Sequence, residues 1–174
     1  MRPCRSRKFG FSGAVLLVLG GLLSSVAEAS EPRQVAVFDF ELIDTSLEGE
    51  VVGGRPDESQ RLVLISDLLR EELAASGRYS VVDQTAAAMQ IEDAGYLHGC
   101  NGCEAKIART LGAELAFTGT VQKVSNLILN INIYVRDAAS GKRLRAMSAD
   151  IRGNTDKSWS RGLSYLVRNR LLKE

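Results

Sequence analysis

The sequence predicts an α/β protein, at the border with α+β, in which helices pack on one mixed sheet of about five strands. Short runs of β-branched and aromatic residues alternate with segments of helical periodicity in the first half of the chain. Three consecutive strand patterns with short turns follow, and an amphipathic helix comes last. The predicted order of elements is therefore β-α-β-α-α-β-β-β-α.

The first half of the chain supplies a strand, a helix and a second strand. Residues 35–40 read VAVFDF, an apolar run typical of a buried strand. Residues 59–76 place leucine and isoleucine on one helical stripe, and Gly77 ends that helix. Residues 79–83 read YSVVD, the second strand pattern. A strand, helix, strand start favours parallel pairing through a right-handed crossover.

The second half predicts two helices, an antiparallel meander and a final helix. The first five patterns, two helices and three strands, cover residues 85–94, 104–111, 115–124, 127–136 and 143–151. The middle strand alternates apolar and polar residues, which indicates one buried and one wet face. The last helix, at residues 158–172, carries Trp159 and Tyr165 on or beside its apolar stripe, so both are expected in the core.

The N-terminal segment has the features of a cleaved secretory signal peptide over residues 1–29. A basic head precedes a short apolar run at residues 14–23, and Ala27-Glu28-Ala29 matches the pattern that signal peptidase reads. Glycines and serines interrupt the run, whereas a spanning helix needs about 20 apolar residues; a retained anchor is the alternative. We expect a single mature domain at residues 30–174, periplasmic and without stable membrane insertion after cleavage.

Charge divides the mature chain into an acidic start and a basic end. Residues 30–104 carry 5 basic and 15 acidic side chains, whereas residues 136–174 carry 10 basic and 4 acidic ones. Residues 41–58 are predicted as an acidic loop, because glycines and a proline break its regular patterns. These charged side chains either form ion pairs within the protein or belong to a surface that binds a partner. The candidate partner surface consists of Asp44, Glu48, Glu50, Arg161, Arg168 and Arg170.

The segment HGCNGC places Cys100, Cys103 and the chain's single histidine, His98, within six residues. In an exported protein the two cysteines are expected to form a local disulfide between two helices. A redox-active pair and a weak metal site of all three residues remain alternatives. Covalent haem attachment is excluded, because Glu104 follows the second cysteine where histidine is required. With one histidine no catalytic triad is predicted, and no cofactor is expected.

Four stretches together carry a family resemblance: VAVFDF, LAASGRYSVVD, AKIARTLGAELAFTGTVQK and VRDAASGKRL. They resemble the amino-terminal domain of TolB-like envelope proteins and of CsgG-like proteins of curli secretion. More closely, they resemble a small uncharacterised family of secreted bacterial proteins. The resemblance implies a mixed sheet flanked by helices, used for protein contacts in the envelope and not for catalysis.

The sequence therefore predicts an exported, non-enzymatic accessory protein that contacts an envelope or periplasmic protein. Nucleic acid is not expected as a partner, because no pattern of interleaved basic and aromatic residues is present. The alternative is a periplasmic thiol-disulfide or metal-handling protein that uses Cys100 and Cys103.

Overall fold

The computed structural model describes residues 31–173, so the predicted signal peptide lies outside the described residues. Its strands are β1 (Arg33–Asp44), β2 (Tyr79–Val81), β3 (Leu115–Ser125), β4 (Ile128–Asp137) and β5 (Arg143–Arg152). Its α-helices are α1 (Leu47–Val52), α2 (Pro56–Ala75), α3 (Ala88–Ala94), α4 (Cys103–Thr110) and α5 (Asp156–Leu166). Two 3-10 turns (Thr85–Ala87 and Leu97–Gly99) precede α3 and α4, and a π-helical turn (Val167–Leu171) extends α5. In this part of the chain, no helix has both the length and the apolar character needed to cross a bilayer.

The strands form one mixed sheet in the order β2-β1-β3-β4-β5. β1 pairs in parallel with both β2 and β3, while β3, β4 and β5 form the predicted antiparallel meander. The fold class and the order of elements are thus confirmed, with α1 as an additional short helix.

Helices cover both faces of the sheet, which shows why β1 contains four consecutive apolar residues, 35–38. Val35 and Val37 belong to the core under α2 and α5, whereas Ala36 and Phe38 belong to the core under α3 and α4. All four side chains are buried. A strand with helices on both faces buries consecutive residues, which explains the continuous apolar run VAVF at residues 35–38.

Residues 41–58 differ from the predicted acidic loop. β1 continues to Asp44, α1 follows, and α2 begins at Pro56. Ser46 caps α1, because its side chain accepts a hydrogen bond from the Gly49 amide. Pro56 suits the first turn of α2, where the missing N–H has no helical partner to lose. The acidic side chains of this region therefore stand on regular elements.

Candidate functional site

An open groove of about 780 Å³ lies between β5 and α5. One wall consists of residues 148–153, from the end of β5 and the turn after it. The other wall includes Lys157, Arg161 and Tyr165, which follow one another at intervals of four along α5. We call this feature the β5–α5 groove.

The β5 strand borders this groove with an edge that carries no further strand within residues 31–173. The opposite edge of β5 pairs with β4 over nearly its whole length. A free strand edge presents backbone N–H and C=O groups that can pair with another chain. The groove thus combines an open backbone edge with a wall of helical side chains.

Gly162 allows α5 to lie close against β5 beside the groove. A Cβ atom at this position would stand 2.4 Å from Cγ2 of Ile151, which is closer than side chains tolerate. Trp159 and Leu163, on either side of Gly162 in the sequence, are fully buried in the core below. The helix is therefore held rigidly along the strand.

The groove is basic. Four of its cations are exposed and have no ion-pair partner among the described residues: Arg152, Lys157, Arg161 and Arg170. Asp150 is the acid in the groove, and its carboxylate accepts a hydrogen bond from the Asn130 side chain at 2.8 Å. Cations without an internal partner favour binding of an anionic group from outside.

The structure separates the three arginines predicted as a partner surface. Arg161 and Arg170 line the β5–α5 groove, but Arg168 lies outside it and stands 3.4 Å from the Glu72 carboxylate. Tyr165, expected in the core, is instead half exposed in the groove. Lys157 was not among the predicted residues, although its spacing of four from Arg161 places both on one side of a helix.

Two of the three predicted acidic residues bind a buried lysine. Nζ of Lys123, a residue of β3 that is 1% exposed, lies 2.7 Å from Glu58 Oε1. The same Nζ lies 3.1 Å from Asp44 Oδ2 and 3.1 Å from Glu48 Oε2. Glu50 is exposed and takes no part. Neither Lys123 nor Glu58 was among the predicted site residues, because their interaction joins β3 to α2, which are distant in the sequence.

The pKa values of this cluster reflect its ion pairs. Burial lowers the pKa of Lys123, but hydrogen bonds to Glu58, Asp44 and Glu48 outweigh burial and raise this pKa above its ordinary value. Burial likewise raises the pKa of Asp44, and hydrogen bonds from Ser46 and Lys123 outweigh it, so that the net pKa is lowered. The charged forms are therefore the ones that the fold stabilises, which points to a structural role.

The cysteines lie in a segment that leads from α3 into α4, and we call residues 97–103 the disulfide segment. Cys100 and Cys103 are bonded to each other, with their Cα atoms 5.6 Å apart. Both side chains pack against the core under α3 and α4. Cys103 is the first residue of α4. The bond therefore fixes the entry into this helix.

Glu41 of β1 holds the disulfide segment in place. Its side chain accepts hydrogen bonds from the backbone amides of Leu97, at 2.5 Å, and His98, at 3.0 Å. Nδ1 of His98 lies 2.5 Å from the same carboxylate. The single histidine thus binds a carboxylate of the sheet and does not face the cysteines.

A metal-binding arrangement at this segment would have to use Glu104 in place of His98. Among the described residues, the ligand atoms that come within 4.8 Å of one another belong to Cys100, Cys103 and Glu104. The two sulfur atoms are joined in a disulfide, and thiolate is the form of cysteine that binds metals. The Glu104 carboxylate lies 2.5 Å from Nε of Arg136, which neutralises it.

Comparison with known proteins identifies a family and a shared fold. A family model described as "Protein of unknown function (DUF2380)" matches residues 33–171. The search of curated proteins finds no significant match.

Several solved structures share the fold at low sequence identity. The LpoB C-terminal domain from Salmonella enterica is 15% identical, with a TM-score of 0.52 over 72% of this chain and 87% of that one. Lipoprotein GNA1162 from Neisseria meningitidis is 17% identical, with a TM-score of 0.50 over 82% of this chain and 99% of that one. The PelC dodecamer from Paraburkholderia phytofirmans is 10% identical, with a TM-score of 0.51 over 80% of this chain and 89% of that one.

These neighbours bear on the predicted resemblance. TolB from Acinetobacter baumannii is also similar, but its TM-score of 0.43 is too low to carry an argument. The likeness to CsgG-like proteins stays a prediction. At these identities the similarity concerns the fold, so the site has to be interpreted from its own side chains.

Proposed function

This chain belongs to the family described as Protein of unknown function (DUF2380), and on that premise we propose that it is an exported, non-enzymatic accessory protein of the bacterial envelope. It acts through contact with another envelope or periplasmic protein. The observation that carries the proposal is the β5–α5 groove, where, within residues 31–173, a free strand edge adjoins four cations without an ion-pair partner.

The shared fold supports the envelope part of the proposal. One neighbour is named a lipoprotein, and another is a dodecamer, so the fold occurs in a lipid-linked protein and in an assembly of copies. The predicted signal peptide at residues 1–29 agrees with export. We infer a periplasmic location from these two points together.

The arrangement of reactive groups supports a non-enzymatic role. The chain's single histidine is bonded to Glu41 through Nδ1. Within residues 31–173 no serine, threonine or cysteine side chain donates to its ring, so the pairing of nucleophile and base that acyl transfer needs is not formed. The Lys123 ammonium group is buried and paired with the Glu58, Asp44 and Glu48 carboxylates, which suits stability and not substrate binding.

The alternative, a thiol-disulfide or metal-handling protein, receives less support. A redox centre requires an accessible sulfur beside a group that lowers its pKa. Here Cys100 and Cys103 are joined in a disulfide, are only partly exposed and pack against the core. The double variant Cys100→Ser/Cys103→Ser tests this alternative, because an accessory protein with a structural disulfide keeps its partner when both sulfurs are removed.

Site-specific photo-crosslinking in living cells tests the proposed function. A photoreactive amino acid is placed at one of three exposed positions: Ser148 in the β5–α5 groove, Glu50 on α1, or Lys106 on α4. We expect a discrete covalent adduct with an exported protein from at least one position. The same variants without residues 1–29 serve as the control and should give no such adduct. Absence of adducts from all three positions contradicts the proposal.

A further inference from the structure

The β5–α5 groove has the features of a site for an extended acidic peptide. We propose that the β5–α5 groove binds an acidic segment of an envelope protein, an inference that rests on the proposed function. This segment pairs with β5 as a sixth strand and places its carboxylates on Lys157 and Arg161. The free edge, the length of the groove and the charge of its helical wall each support this inference.

The strand edge sets the conformation and the length of the bound segment. Residues 148–153 form the strand wall, and six residues in extended conformation span about 20 Å. An added strand gains backbone hydrogen bonds regardless of its sequence. The occupant is therefore an extended segment of about six residues.

The helical wall sets the side chains of that segment. Lys157, Arg161 and Tyr165 succeed one another by four residues, or about 6 Å along a helix. Side chains on one face of a strand repeat every two residues, or about 6.7 Å. The two repeats nearly match, so alternate residues of the segment meet successive residues of α5. Two acidic residues and one apolar or aromatic residue, at alternate positions, suit this wall.

A second copy of this chain does not suit the groove. The groove of each copy presents the cations Arg152, Lys157, Arg161 and Arg170 and a single acid, Asp150. Pairing of two β5 edges would bring two basic grooves together, and like charges across an interface repel. The charge of the groove thus selects a different, acidic chain.

Peptide binding to the purified mature protein tests the inference. The probes are two sets of eight-residue peptides. The acidic set carries glutamate at two alternate positions and leucine at the next alternate position, and the matched set carries glutamine in place of glutamate. We expect fluorescence anisotropy to show that the acidic set binds at least tenfold more tightly, with an affinity that falls as salt rises. Equal binding of the two sets would overturn the inference.

Variants locate the site. Arg161→Glu and Lys157→Glu should each weaken binding at least tenfold, whereas Lys106→Glu, an equal change of charge on the opposite face, should leave it unchanged. These side chains are exposed, so the unfolding midpoint should stay constant and separate lost binding from lost folding. If all three variants weaken peptide binding equally, the effect comes from the net charge of the protein, and a site in the groove is refuted.

N-methylated peptides test strand pairing. Methyl groups on the amides that face β5 should abolish binding, and methyl groups on the alternate amides should have little effect. Equal binding of the two N-methylated peptides contradicts strand pairing. Strand pairing is also contradicted if neither methylation weakens binding and anionic vesicles compete with the peptide. Adducts from Glu50 alone in the crosslinking experiment would refute the groove while the proposed function stands.

Discussion

Replacing Lys123 by methionine should destabilise the protein strongly, because it leaves a buried carboxylate without its cation. Nζ of Lys123 lies 2.7 Å from Glu58 Oε1, and the Glu58 side chain is 1% exposed. Oε2 of Glu58 has no hydrogen-bond partner in the described part of the chain. Water cannot replace the lost ammonium group at this depth, whereas methionine fills most of the volume of the lysine stem.

The expected loss is about 3–5 kcal/mol of unfolding free energy at pH 7, the usual cost of removing one partner from a buried ion pair. Urea denaturation measures it. With a slope of about 2 kcal/mol per molar urea, the midpoint should fall by about 2 M. Lys106→Met is the matched control, because Lys106 is exposed on α4, and its midpoint should hardly move.

The pH dependence of this loss provides a second check. Asp44 and Glu48 have pKa values lowered from 3.8 and 4.5 in the folded protein. A carboxyl group whose pKa is lower in the folded than in the unfolded protein stabilises the fold at a pH above its unfolded-state pKa. This stability disappears as the pH falls through its folded-state pKa. Without Lys123, Asp44 and Glu48 lose part of this contribution, so the variant has less stability to lose in acid. The difference between Lys123→Met and the wild type should therefore shrink below about pH 4.

Two results would refute this reasoning. A loss under about 1 kcal/mol at pH 7 would mean that Glu58 finds water or is neutral without the lysine. A loss of constant size from pH 7 to pH 3 would mean that charge is not its cause. The double variant Lys123→Met/Glu58→Gln separates the cost of the unpaired charge from the cost of the changed packing. It removes the unpaired carboxylate and should recover part of the unfolding free energy.

Three further variants test local features. Glu41→Ala removes the acceptor of two amides, so hydrogen exchange in the disulfide segment and reduction of the disulfide by dithiothreitol should both accelerate; unchanged rates would contradict a holding role. Cys100→Ser/Cys103→Ser should cost about 2 kcal/mol in urea denaturation, because the closed loop is short, and a much larger loss would indicate a wider role of the bond. Gly119→Ala should cost about 1–3 kcal/mol by overpacking, since its Cβ would stand 2.2 Å from the Phe40 ring, and an unchanged urea midpoint would show that the ring moves freely.

Periodicity was sufficient to predict most of the fold. The alternation in β4 is observed as buried Leu129, Ile131 and Ile133 between less buried polar residues. The same kind of pattern predicted α2, α4 and the last helix. These elements bury one face against a neighbouring layer, so their own sequence carries the information.

The region of residues 41–58 could not be predicted in this way. Its acidic residues indicated a solvated loop, but Asp44, Glu48 and Glu58 surround Lys123 on β3. A buried charge requires a partner, and this partner is more than sixty positions away in the sequence. Composition alone cannot distinguish an acidic surface from an acidic shell around one lysine.

The basic end of the chain shows how one local irregularity changes a site. Helical periodicity relates Tyr165 to residues three and four positions later, which would bring Arg168 or its neighbour next along the groove. The chain instead forms a π-helical turn over Val167–Leu171, in which the Leu172 amide bonds to the Val167 carbonyl. This wider turn contains more residues than an α-helical turn and therefore rotates the following side chains around the helix axis. Arg170 lines the groove as a result, and Arg168 contacts Glu72. Since the neighbouring structures share the fold at 10–17% identity, side-chain placements of this kind, and not the sheet itself, must distinguish the surface of one protein of this fold from that of another.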